Sequence, residues 1–214
     1  EVEAAAEPTP FWKAYLPPLQ ATGQGVMSLD IDVPLGVPGA AFTGEYQVAG
    51  ASLTLPTPAL AASNVSGHVR FSNRGVEAAK LNGHLLNGRF AVQAGREASG
   101  RLALDASGEV SGSELGRLHA AALAQRISGN VDWRVEWREG VGLGDLRVHA
   151  ALDKLRFKLP PPFDVGERPS VDRLTLRTEQ SRDRSQLVNI DAGDLVRGTL
   201  VLENRDGWRF ARGH

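Results

Sequence analysis

The sequence predicts an all-β chain with one short helix, folded as a curled, mostly antiparallel multi-stranded sheet that forms an apolar groove. Three observations carry this. Apolar and polar residues alternate with period two along most of the chain, as in Leu29-Asp30-Ile31-Asp32-Val33, the mark of half-buried strands. Strands recur at about ten-residue intervals, split by Gly, Asn, Asp and Pro, a spacing typical of antiparallel β-proteins. No proline lies between Ala59 and Leu159, so strands there can pair on both sides without a missing N–H.

Taken in order, residues 1–22 are rich in Ala, Glu and Pro, and Pro17-Pro18 blocks a long helix, so they read as a linker or entry segment. Residues 23–214 read as the β-groove segment. Its first strand stops at Pro34. In the next, Tyr46 and Val48 face one way and Glu45 and Gln47 the other; Leu53 and Leu55 then alternate with Ser52 and Thr54 until Pro56. Val65, Val69 and Phe71 alternate with Ser66, His68 and Arg70, and Asn73-Arg74-Gly75 supplies a hairpin turn.

Further strands are expected over 81–85, 89–94, 101–110, 131–137 and 146–159. Ser111 and Glu114 have the spacing of a capping box, and Leu115, Leu118 and Ala122 repeat at helical spacing up to about Arg126. After Pro160-Pro161-Pro162 the alternation returns at Leu174 and Leu176, around Leu187 to Ile190, and from Leu195 to Leu202, and the chain closes with Trp208 and Phe210. About a dozen strands stacked at roughly 4.8 Å would span about 55 Å, and open sheets of that width usually curl. Glycines such as Gly44, Gly50, Gly67, Gly83 and Gly108 lie in or beside strands, where bulges and bends form.

Composition narrows the function. With 24 basic against 25 acidic residues the net charge is -1, which gives no general attraction to nucleic acid. The chain has no cysteine, so disulfides, thiol nucleophiles and thiolate metal sites are excluded. No run approaches the roughly 20 apolar residues of a membrane span, so an anchor would have to lie outside this sequence. The chain opens EVEAAAEPTPFW, with no initiator Met or basic-then-apolar leader, and reads as part of a longer protein.

Catalytic equipment is sparse. His68, His84, His119, His149 and His214 are scattered without metal-ligand spacing, and no G-x-S-x-G elbow is present. Gly140-Val141-Gly142-Leu143-Gly144 lacks the Lys-Ser/Thr and following helix of a phosphate loop and reads as a flexible hairpin tip. Asp30 and Asp32 share a strand face and read as solvated. RTEQSRDR, from Arg177 to Arg184, reads as a salt-bridged turn rather than a grip for phosphates. Trp133 and Trp137 share a face with Val131 and Val135; whether they form core or a groove floor stays open. No catalytic residue, cofactor or metal is expected.

The landmarks Gly23-x-Gly25, Leu29-Asp30-Ile31-Asp32-Val33-Pro34-Leu35, Leu53-Thr54-Leu55-Pro56 and Val65-Ser66-Gly67-His68-Val69-Arg70-Phe71, followed by Asn73 and Gly75-Val76, resemble the YhdP branch of the AsmA-like, bridge-like lipid transport proteins. Leu86-Asn87-Gly88, Ile127-Ser128-Gly129 with Trp133, Leu159-Pro160-Pro161-Pro162-Phe163 and Arg197-Gly198 continue the order, so the resemblance covers roughly 23–207. Ala151-Leu152-Asp153-Lys154-Leu155-Arg156-Phe157 departs from the family's Ser-Asp-Leu-x-Gly-Leu, and Asp164-Val165 from its Lys.

The resemblance implies an internal segment of a Gram-negative, periplasmic protein anchored in the inner membrane, conducting phospholipid towards the outer membrane. It implies acyl chains and neighbouring segments of the same long chain as partners. The groove candidates are then Leu29, Ile31, Val33, Tyr46, Val48, Leu53, Leu55, Val69, Phe71, Val131, Trp133, Val135 and Trp137. Two rival readings are a purely structural β-module with no lipid path and a glycan-binding or glycan-cleaving β-domain. Raw strand edges would favour edge-to-edge self-association.

Overall fold

A computed structural model describes residues 20–33, 41–55, 60–119, 124–140, 144–158, 171–180, 185–194, 196–204 and 208–213. The strands are β1 (Gln20–Asp32), β2 (Ala41–Leu55), β3 (Leu60–Ser72), β4 (Gly75–Leu85), β5 (Gly88–Arg96), β6 (Leu102–Ser111), β7 (Ile127–Ser128), β8 (Asn130–Arg138), β9 (Asp145–Ala151), β10 (Arg156–Phe157), β11 (Arg173–Gln180), β12 (Ser185–Ala192), β13 (Val196–Asn204) and β14 (Trp208–Gly213). Among the described residues one helix, α1 (Gly112–His119), follows β6.

Twelve strands form one open sheet in the order β1-β2-β3-β4-β5-β6-β8-β9-β11-β12-β13-β14, while β7 and β10 form a separate two-stranded ribbon. Every pairing is antiparallel. The sheet is an up-and-down meander: each strand pairs with the next one in the chain that belongs to it, and β1 and β14 are its two outer strands. The expected all-β architecture with one short helix is therefore present.

The ladder registers show what the alternation accomplishes. Residues paired across an antiparallel ladder share a face. One row of partners runs Gly25, Val48, Gly67, Leu81, Val92, Ala106, Val135, Val148, Leu176, Ile190 and Gly198, with no polar side chain in it. The opposite face carries the row Val26, Gln47, His68, Lys80, Gln93, Asp105, Glu136, Arg147, Arg177, Asn189 and Thr199. Asp30 lies on this polar face opposite Thr43, and Glu45 lies there opposite Arg70.

A phase slip in the sequence is absorbed by bulges. Tyr46 and Val48 fall on even positions but Leu53 on an odd one, so strict alternation would turn Leu53 outward. The β2–β3 register shifts between Val48 and Ala51, where Gly50 has a φ of 64°, a left-handed conformation open to glycine at little cost. A second shift lies between Ala51 and Leu53, opposite Asn64 in β3, which has a φ of 52°. The extra residue in β2 returns Leu53 to the apolar side, and the extra residue in β3 keeps Ala62 opposite it.

Turns mostly follow the sequence. Ser72 pairs with Gly75 around Asn73-Arg74, and Leu85 pairs with Gly88 around Leu86-Asn87. Leu86 and Asn87 both have positive φ, 50° and 62°, as a type I′ hairpin requires. Leucine rarely accepts this backbone. Its side chain packs against the cluster around Val110, Val131 and Leu155, which offsets the strain.

Four expectations need correction. The strand expected over 146–159 breaks after Ala151: a turn at Asp153-Lys154 leads into β10, which leaves the main sheet to pair with β7. The capping box does not form. The Ser111 N–H donates to Leu86 O, its hydroxyl meets that of Ser113, and the Glu114 carboxylate accepts from Asn87 and Arg117 instead. Arg177-Thr178-Glu179-Gln180 is the end of β11 rather than a turn, and 181–184 lie outside the described residues. Gly144, taken with its neighbours as a flexible tip, is buried and held by hydrogen bonds; 141–143 lie outside the described residues.

Candidate functional site

Among the described residues the apolar face is a large feature built from all twelve strands of the main sheet, and its cover differs from place to place. At β1 it is bare: Met27 is 61%, Leu29 48% and Ile31 56% exposed, and every residue of that 13-residue strand is open to solvent. Val33, just past the end of β1, is also exposed. Near the far edge Val196 and Phe210 stand open.

In the middle the face is covered from one side. Val110, Val131 and Leu155 form a buried cluster with Leu115 of α1, Ile127 and Phe157 of the ribbon, Leu152, Leu86, Trp133 and Ala150 around it. The helix and ribbon thus form a cap over the ends of β6, β8 and β9. Gly112 N donates to Gly129 O, and Lys158 N donates to Arg126 O, tying α1 and β10 to the chain around β7. Gly129 has a φ of 85°, and a side chain there would overlap Lys154 O, so glycine is required where the chain enters β8.

The opposite ends of the same strands carry a second cover. Gly144 lies against Trp137: a Cβ added there would sit 2.8 Å from the indole Nε1. The Gly144 carbonyl accepts from Thr178 Oγ1 at 2.9 Å and from Gln186 Nε2 at 2.8 Å, while Leu146 N donates to Thr178 Oγ1 at 2.7 Å. Thr178 and Gln186 are buried polar residues on the apolar face, and these bonds satisfy them. Between the two covers lies the strip of Val135 and Val148.

Aromatic rings floor the face by lying over glycines in neighbouring strands. A Cβ at Gly44 would overlap the Phe71 ring, one at Gly108 would lie 2.9 Å from Trp133, and one at Gly25 would meet the Tyr46 ring. Phe42 and Phe71 meet edge to face with centroids 6.4 Å apart. A cavity of about 620 Å³ borders Leu29, Gly44 and Phe71 and reaches the Glu77–Arg96 pair.

That pair belongs to a charged rim at one end of the strands. Arg96 contacts Glu77 at 3.0 Å and Glu139 at 3.8 Å, and it donates to the carbonyls of Gly100 and Arg74. The Ser72 hydroxyl donates to Glu77 at 2.6 Å, and this bond, with Arg74 and Arg96 nearby, holds the Glu77 carboxyl below its ordinary range. On the polar face Arg138 pairs with Asp105 at 3.4 Å and Lys154 with Asp132 at 2.6 Å; the Asp132 contact raises the Lys154 pKa.

The register places the candidate residues on one face: Leu29 and Ile31 of β1, Tyr46, Val48 and Leu53 of β2, Val69 and Phe71 of β3, and Val131, Trp133, Val135 and Trp137 of β8. They do not share one environment. Val131, at 4% exposure, is core beneath the cap, and Trp133 packs beside it, its Nε1 buried without a hydrogen-bond partner among the described residues. Leu55 pairs with Leu60.

Sequence reading missed Met27, Phe42, Leu81, Val92, Leu104, Val148, Leu176 and Ile190, which share the face. Their signal is the alternation itself, carried across the ladders. Among the described residues no group of three or more His, Cys, Asp or Glu could hold a metal, and no helix is long and apolar enough to cross a membrane.

A wide, open antiparallel sheet with one apolar face across its strands and a local cap defines a β-sheet protein whose surface, rather than a catalytic pocket, is the candidate site. Residues 10–214 match the family described as YhdP protein, and the chain belongs to that family, the branch of the AsmA-like proteins that the sequence landmarks resemble. Neither curated proteins nor solved structures match the chain.

Proposed function

We propose that the chain is a lipid-binding segment of an envelope protein, in which the apolar face forms a groove that conducts phospholipid between the inner and outer membranes. The observation that carries this reading is the row of apolar partners crossing the sheet, with exposed apolar side chains at both ends. Exposed apolar surface on this scale marks an interaction site. Burying acyl chains releases about 0.8 kcal/mol per CH₂, and uniform apolar contacts along the face would hold tails without deep local minima. No chemical step is required, so the chain is not an enzyme and needs no cofactor.

In this reading residues 23–214 form one β-groove segment of a longer periplasmic protein anchored in the inner membrane, with residues 1–22 leading into it. Neighbouring segments of the same chain continue the sheet at β1 and β14. An isolated segment with both edges open self-associates edge to edge.

Native mass spectrometry of the purified chain, with organic extraction of what co-purifies, tests the proposal. Bound phospholipid that is lost on Val48→Asp supports it. A lipid-free mass that also refuses added phosphatidylethanolamine overturns it and leaves the apolar face as ordinary core.

A further inference from the structure

The covers over the middle of the sheet narrow the apolar face to a short strip, and this strip would meter whatever moves along it. The strip's floor is the Val135–Val148 pair. On one side Trp133 lies against the cap built from α1, β7 and β10; on the other Trp137 lies against the chain at Gly144. The two tryptophans are four steps apart along β8, about 13 Å at roughly 3.3 Å per residue. At β1 the whole 13-residue strand is open, about 43 Å by the same rise.

Alkyl chains in van der Waals contact lie roughly 4–5 Å apart. Two abreast therefore fit between the tryptophans, and four do not. Resting on the lipid-groove reading, we propose that β8 and β9 form a bottleneck, bounded by the cap beside Trp133 and by the chain at Gly144 beside Trp137, that passes one two-chain phospholipid at a time and excludes a four-chain one.

The covers are fixed parts of the fold. The cap has its own buried cluster around Leu155, and Gly144 is anchored by the side chains of Thr178 and Gln186. The bottleneck therefore has a set gauge rather than a moving gate. Widening or narrowing its floor by one side chain changes what passes without changing what binds at β1.

The test puts the photoreactive group on the lipid: the chain is exposed to vesicles containing phosphatidylethanolamine or cardiolipin whose acyl chains carry a diazirine, and crosslinks are mapped by mass spectrometry to Leu29, on the open end, and to Val148, in the strip. Both lipids are expected to crosslink at Leu29, but only the two-chain lipid at Val148, by at least fivefold. Val135→Trp is expected to abolish crosslinking at Val148 while leaving that at Leu29, and Val135→Ala to admit cardiolipin. Equal crosslinking of both lipids at Val148 overturns the bottleneck. Failure of either lipid to crosslink at Leu29 overturns the groove reading beneath it. Circular dichroism of each variant identifies any that fail to fold, and Val135→Ala keeps the test open if Val135→Trp does.

Discussion

β1 and β8 carry the same alternating pattern and meet opposite fates. In β1, Leu29 and Ile31 point to the apolar side and remain about half exposed, with β2 alone beside them among the described strands. In β8, Val131 points to the same side and is buried beneath α1, the β7–β10 ribbon and Leu155. The alternation in both strands specifies which face is apolar. What covers that face is decided by two excursions from the sheet, α1 and β7 between β6 and β8, and β10 after β9. One sheet thus combines a core, which stabilises it, with an open apolar surface, which is free to bind.

The sharpest way to break this comparison is to remove the cap's centre. Leu155→Ala deletes a buried side chain that holds helix and ribbon to the sheet, and it is expected to cost about 2–4 kcal/mol in urea unfolding. Leu29→Ser, on the same apolar side but exposed, is expected to change stability by less than about 0.5 kcal/mol while weakening phospholipid binding. A similar stability loss for both would mean that β1 is covered in solution.

A smaller effect comes from the charged rim. The Glu77 carboxyl is held below its ordinary value of 4.5 by Ser72, with Arg74 and Arg96 nearby. A lowered folded pKa means that the unfolded chain binds the proton more readily, so Glu77 stabilises the fold above the ordinary value. That contribution fades as pH falls through the lowered one. Glu77→Gln is expected to lower the melting temperature at pH 7 and to narrow that gap towards pH 3; an equal loss at both pH values would assign its effect to packing.

The polar–apolar alternation, the hairpin at Asn73-Arg74 and the helix after Ser111 were legible because each rests on local chemistry. The break after Ala151 was not. Leu152, Leu155 and Phe157 continue an apolar pattern that suits a strand, and only their packing against α1 and β7 shows that they belong to the cap. The helix was legible from its leucines, but the roles of Ser111 and Glu114 were not, because Leu86 and Asn87 supply partners from the neighbouring hairpin. For the candidate site, sequence could assign Val131 and Leu29 to one class of side chain. It could not tell that one is core and the other open, because exposure depends on contacts far along the chain.

Met27, the chain's one methionine, lies on the open face of β1 and reports directly on whether lipid covers it. Its rate of oxidation by dilute peroxide, followed by intact mass with and without saturating phosphatidylethanolamine vesicles, is the most direct test of the account. The account predicts strong slowing by lipid, reversed by Val48→Asp. An unchanged rate with lipid present would contradict the claim that this face is where phospholipid binds.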